Sequence, residues 1–146
     1  MTEALSLARE ALVDGDVPVG AVVVDASGQV IGTGRNTRER DADPTGHAEI
    51  VALRAAAATR GGWRLDGCAL YVTLEPCTMC AGAIVQSRIA HLVFGAWDEK
   101  AGAVGSLWDV VRDRRLNHRP EVTSAVLADD STALLQEFFR TRRDPL

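Results

Sequence analysis

Cysteine is scarce in this chain, with three among 146 residues. So few thiols argue against a disulfide framework and, in a reducing compartment, for metal or catalytic use. Lysine is scarcer still. Lys100 stands alone, so the positive charge is carried by arginine. There is no run of about 18 apolar residues, so no transmembrane helix is expected, and no membrane partner either. The N-terminal stretch MTEALSLAREAL carries Glu3, Arg9 and Glu10 and lacks a basic region followed by an unbroken apolar one. It does not read as a signal peptide, and the expectation is a cytoplasmic protein. Internal repeats, linkers and low-complexity tracts are also absent. A chain of this length then suits one domain, 1–146, with its own core.

The net charge of −4 at first speaks against a polyanionic partner, but its distribution is uneven. Residues 1–111 hold nine basic and fourteen acidic side chains, a net of −5; residues 112–146 hold seven arginines and six acids, a net of +1. An anionic partner should meet the C-terminal third.

Periodicity and punctuation define the elements. Leu5, Ala8 and Leu12 lie at helical spacing within 3–13. The apolar runs 19–25 and 29–36 form a hairpin signal, with Gly28 in the turn. A polar loop, RERDADPTG, precedes the alanine-rich helix 47–59, which Gly61 and Gly62 stop. Strand 68–74 ends at Pro76, helix 77–87 and strand 90–96 follow, and a loop covers 97–106. A short helix is expected over 106–113, a fifth strand over 121–127, and a last helix over 131–143 with Asp129 and Asp130 as N-caps. Strand–helix–strand order from residue 68 onward implies parallel pairing with helices on both faces. The fold class is α/β, a three-layer α/β/α domain on a mixed five-stranded sheet. Ligands of such sheets gather at the carboxyl ends of strands.

EPCTMC lies at such a strand end. Cys77 and Cys80 are one helical turn apart and can grip one ion. By themselves they could be a redox pair, half of a structural zinc site or part of a catalytic one. A closed zinc site needs four protein ligands. Cys68 is spaced like a core residue, and His91 and His118 have no second ligand near them. His47 stands at a helix start, two residues before Glu49. Zinc on His47, Cys77 and Cys80, one ion per subunit, would keep its fourth position open for water, as in catalytic sites. Glu49, beside the metal but not a ligand, is the residue to move protons.

HAE at one helix start, then a strand, then PCTMC opening a second helix resembles the zinc-dependent cytidine/deoxycytidylate deaminase superfamily. Further segments, among them DVPVGAVVV, DPTGHAEIVALR, LYVTLEPCTMCAGAIVQSRI, GAVGSLWDV and LLQEFFRTRR, are similar to bacterial tRNA adenosine deaminases. The similarity runs in order over nearly the whole chain. It implies a cytidine-deaminase-like fold and hydrolytic conversion of adenosine to inosine at the wobble position of tRNA. It implies zinc as the cofactor, no organic cofactor, the anticodon stem-loop as partner, and a homodimer. By the same resemblance Asn36 contacts the flipped base, Asp98 lies near the RNA sugar, and Phe138, Phe139, Arg140, Arg142 and Arg143 belong to an RNA-contacting helix. Both phenylalanines cannot face one core, so one is free to stack on a base. Gly46, where relatives carry alanine, and Trp97, where many carry a basic residue, depart from the pattern. Two other readings stay open: a deaminase of a free base or nucleoside, and a zinc or RNA-binding module without catalysis.

Overall fold

The computed structural model describes residues 1–143; residues 144–146 of the expected domain lie outside the described residues. The chain runs α1 (Thr2–Val13), β1 (Gly20–Val24), β2 (Val30–Arg35), α2 (Ala48–Arg60), β3 (Ala69–Leu74), α3 (Thr78–Gln86), β4 (His91–Ala96), β5 (Glu121–Thr123) and α4 (Ala128–Arg143). The sheet order is β2-β1-β3-β4-β5. β1 is antiparallel to β2 and to β3, whereas β3–β4 and β4–β5 are parallel, giving the mixed sheet expected. Helices α1 and α4 pack together on one face, and α2 packs with α3 on the other.

Small residues set how closely the layers approach. Gly34 pairs with Ala21 across the hairpin, and an added Cβ on Gly34 would lie 2.4 Å from the Ala48 carbonyl oxygen. Gly32 meets α2 in the same way at the Ala52 carbonyl oxygen, 2.5 Å away. The first turns of α2 therefore rest directly on the β2 backbone, which fixes the height of the helix start over the sheet. Helix α2 ends at Gly61, whose φ of 78° is left-handed and needs no Cβ accommodation. Leu65, Leu70, Val72, Ile84, Leu92 and Phe94 fill the core between sheet and helices.

Three expectations are corrected. Residues 106–113 form no helix: Val104 and Asp109 make an isolated antiparallel bridge, and the intervening segment turns. The fifth strand is three residues long, because Ala125 and Leu127 take left-handed φ values of 61° and 52° and bend the chain toward α4. Asp129 and Asp130 lie inside the first turn of α4, not before it, where they still face the positive end of its dipole. Buried Ser131 in that turn donates through Oγ to the Thr73 carbonyl oxygen at 2.5 Å and ties α4 to β3.

Gly34→Ala should destabilise the fold by about 2 kcal/mol or more, because the methyl group has only helix backbone to displace. Thermal denaturation measures this, and a melting temperature equal to wild type contradicts the packing described.

Candidate active site

Two helix starts meet at the carboxyl end of β3. His47 is the N-cap of α2 with φ −77° and ψ 149°, and Cys77 is the N-cap of α3 with φ −74° and ψ 177°. An N-cap residue is extended, so its side chain stands at the mouth of the helix where unpaired N–H groups point. His47 Nδ1 lies 3.6 Å from Cys77 Sγ and 3.5 Å from Cys80 Sγ. A tetrahedral ion with Zn–N of about 2.0–2.1 Å and Zn–S of about 2.3 Å requires N to S separations of about 3.6 Å. The donor chemistry and the spacing both fit zinc. Among the described residues these three form the only cluster of metal-binding donors, all within 4.8 Å of one another. The other candidates are engaged elsewhere. His91 Nε2 pairs with Thr123 Oγ1 at 2.8 Å, His118 Nε2 donates to the Ile89 carbonyl oxygen at 2.6 Å, and Cys68 lies under the Arg60 guanidinium at 3.2 Å.

The charges are strongly coupled. A hydrogen bond from the Cys80 thiol, opposed by burial and assisted by His47, pulls Cys77 down to about 4. The same bond, with burial, pushes Cys80 up. The contact with Cys77 raises His47. Without a metal the two cysteines thus share one proton, which a divalent cation would displace. Glu49 is 4% exposed, and burial, with the Cys77 charge adding, pushes its carboxyl up to about 7.

His47, Glu49 and Cys77 line a cavity of about 190 Å³ together with Asn36 and Asp98. Val17, Val19 and Leu74 form its apolar walls. Asn36 is buried; its Nδ2 donates to the Val17 carbonyl oxygen at 3.2 Å, and its Oδ1 accepts from the Arg38 amide at 3.0 Å. An amide has two N–H donors and two lone pairs, so one of each remains for a ligand. Asp98 Oδ1 accepts from the Lys100 and Ala101 amides at 3.1 and 3.2 Å.

The C-terminal residues divide between buried and exposed positions, with one of the two adjacent phenylalanines inside and one outside. Phe138 is 6% exposed, and the Arg142 guanidinium sits 4.2 Å over its ring while donating to the Gly15 carbonyl oxygen at 2.6 Å. Phe138 docks α4 against the body of the domain, and Arg142, itself exposed, ties the helix to the end of α1. Phe139 is 43% exposed and shares an outward groove with Arg140 and Arg143. Trp97 is half exposed, stacks edge-on against Phe94 at 4.9 Å and lies beside Gly105. Gly46 closes the preceding loop: its carbonyl oxygen accepts from the Thr37 amide at 2.8 Å, and an added Cβ would meet Thr37 Oγ1 at 3.0 Å.

Sequence reasoning passed over two buried carboxylates. Asp16 accepts from the amides of Glu39 and Arg40 at 2.7 and 3.1 Å, holding the loop that leads to His47. Glu75 accepts from the amides of Asp98, Val104 and Ser106. Burial opposes its charge, but the Ser106 hydroxyl and these amides outweigh it and hold the carboxyl below its ordinary range. The available signal was an acid abutting an apolar strand, directly before Pro76.

Fold and site together define a deaminase of the cytidine-deaminase-like class. Residues 1–143 match the family model of the MafB19-like deaminases. The chain is 52% identical to the tRNA-specific adenosine deaminase of Haemophilus influenzae, over 99% of this chain and 83% of that protein. It resembles a solved tRNA:A34 deaminase, described as carrying out A-to-I editing at the wobble position, with a TM-score of 0.87 and 44% identity over 90% of this chain and 95% of that one. A guanine deaminase from Nitrosomonas europaea is more distant, with a TM-score of 0.78 and 30% identity over 94% of this chain and 81% of that one. The chain belongs to the MafB19-like deaminase family, in the branch of the tRNA-specific adenosine deaminases.

Glu49 gives a pH signature in the metal-free protein. Its folded-state value of about 7 lies above the ordinary 4.5. The stability associated with neutral Glu49 is therefore fully present below about pH 4.5 and lost as pH rises through about 7. In chelator-treated protein, Glu49→Gln should exceed wild type by on the order of 3 kcal/mol at pH 8, and the advantage should vanish toward pH 4.5. Parallel denaturant titrations at the two pH values measure it; a pH-independent difference contradicts the burial argument.

Proposed function

We propose that this protein hydrolytically deaminates adenosine to inosine at the wobble position of a tRNA anticodon. The observation that carries the proposal is the placement of buried Glu49 beside the His47, Cys77 and Cys80 donor set in one cavity with Asn36 and Asp98. The identity to tRNA-specific adenosine deaminases supports the choice of substrate.

His47 Nδ1 and the sulfurs of Cys77 and Cys80 would hold one zinc ion per subunit. Bound zinc lowers the pKa of a water from about 15.7 to roughly 7. Glu49 takes a proton from the attacking water and passes it to the substrate nitrogen as the C6–N bond breaks and ammonia leaves. Adenosine and water become inosine and ammonia, a balance that calls for no organic cofactor. The N–H and lone pair left on Asn36 face the adenine edge, and Asp98 meets the sugar. A base can reach this depth only when splayed out of its strand, which suits the single-stranded anticodon loop. Phe139 with Arg140 and Arg143 offers a stacking face and positive charge for the flanking RNA. The protein acts in the cytoplasm as a homodimer.

Incubation with tRNA bearing a wobble adenosine should yield inosine. Glu49→Ala should keep about one zinc per chain and lose activity by roughly 100-fold or more. Full activity in that variant defeats the mechanism. Turnover of free guanine or cytosine without tRNA modification would favour the free-base reading.

The two phenylalanines should separate. Phe139→Ala should weaken stem-loop binding by roughly tenfold, with the melting temperature unchanged. Phe138→Ala should destabilise the protein by about 3 kcal/mol. Arg140→Ala or Arg143→Ala should lower the salt dependence of RNA binding, measured by titrations at several ionic strengths.

A further inference from the structure

Glu75 is a buried carboxylate, 2% exposed, that the reaction does not use. It lines the cavity between Leu74 and Cys77, two residues before that cysteine. Its Oε1 accepts from the Asp98 amide at 2.9 Å and from the Ser106 hydroxyl, and its Oε2 accepts from the Val104 and Ser106 amides at 3.0 and 3.1 Å. Four acceptor positions are filled, so the group has none to offer a substrate. The backbone repeats the connection: the Glu75 amide donates to the Ala96 carbonyl oxygen, and the Ala103 amide to that of Pro76, both at 2.8 Å. Gly102 leaves room for the carboxylate, since an added Cβ there would fall 2.3 Å from Glu75 Oε1. The segment 98–106 thus wraps one carboxylate, and its first residue, Asp98, lines the cavity.

We propose that Glu75 is a positioning residue, which clamps the 98–106 loop to the turn carrying Cys77 and so sets where Asp98 meets the substrate. The proposal rests on the reading of Asp98 as a substrate contact. The Val104–Asp109 bridge and buried Ala103 and Val104 anchor the far end of the segment, whereas at its Asp98 end the carboxylate accepts the Asp98 amide directly and ties that residue to the turn before Cys77. A charged acceptor buried at the centre of four donors supplies that constraint, because each N–H or O–H bond to a carboxylate is stronger than one between neutral groups.

Glu75→Gln keeps the shape but turns an NH2 group toward donors. Amide hydrogen exchange at Asp98, Val104 and Ser106 should accelerate at least roughly tenfold. Zinc content should remain about one per chain. With a wobble-adenosine stem-loop, KM should rise about tenfold while kcat changes less than about threefold. The loss should not add to that of Asp98→Ala in the double variant, whereas a general loss of stability would add. Ser106→Ala removes a single bond and should shift the same readouts less; it decides the matter if Glu75→Gln does not fold. Unchanged exchange at the three amides, an unchanged KM, or additive losses would overturn the proposal. Absence of inosine formation by wild type would instead overturn the substrate reading, and the exchange measurement would still decide whether the clamp exists.

Discussion

Two helix N-termini aimed at one point are the constraint around which this protein is built. His47 and Cys77 each end a helix at its positive pole, and the poles converge within hydrogen-bonding distance of the same three donor atoms. Two such poles face to face repel unless negative charge lies between them. The thiolate of Cys77 supplies part of that charge; the hydrogen bond from Cys80, with His47 assisting, holds its pKa down despite burial. A divalent cation with two thiolates completes a set that the helix ends favour. The glycines of β2 allow this convergence, because any side chain at Gly32 or Gly34 would lift α2 and carry His47 and Glu49 away from α3.

The same convergence explains the unusual state of Glu49. In the first turn of α2 a carboxylate would ordinarily be stabilised by the helix dipole. Here burial and the Cys77 charge prevail, and the group is held near neutrality. A carboxyl poised between its two protonation states is suited to accepting and returning a proton within one turnover. Val17, Val19 and Leu74 form the apolar walls of the same cavity.

Binding of a polyanion by an acidic chain requires that attraction be local. Arg142 is held over Phe138 and bound to Gly15, whereas Phe139, Arg140 and Arg143 share one outward groove. The faces of this helix therefore differ: inward residues fasten it to α1 and β3, and outward residues stay exposed in the groove. Ser131 and Phe138 fix that division at opposite ends of α4.

Local pattern in the chain determined the element order, the mixed sheet and the grouping of His47, Glu49, Cys77 and Cys80, because hydrophobic period, turn residues and ligand scarcity are all readable without knowing the fold. The resemblance to known deaminases brought Asn36 and Asp98 to attention. Only the tertiary structure decided the rest. Whether Phe138 or Phe139 turns inward depends on how α4 rolls on the sheet, and adjacent identical residues carry no sign of it. The segment 106–113 has an apolar spacing compatible with a helix, yet its first amide, Ser106, and that of Val104 just before it are bound by the Glu75 carboxylate some thirty residues earlier. Long-range hydrogen bonds of this kind, like those of Asp16 to Glu39 and Arg40, are formed by atoms far apart in the chain, and nothing in local composition marks one acid among twenty as the one a loop will fold around.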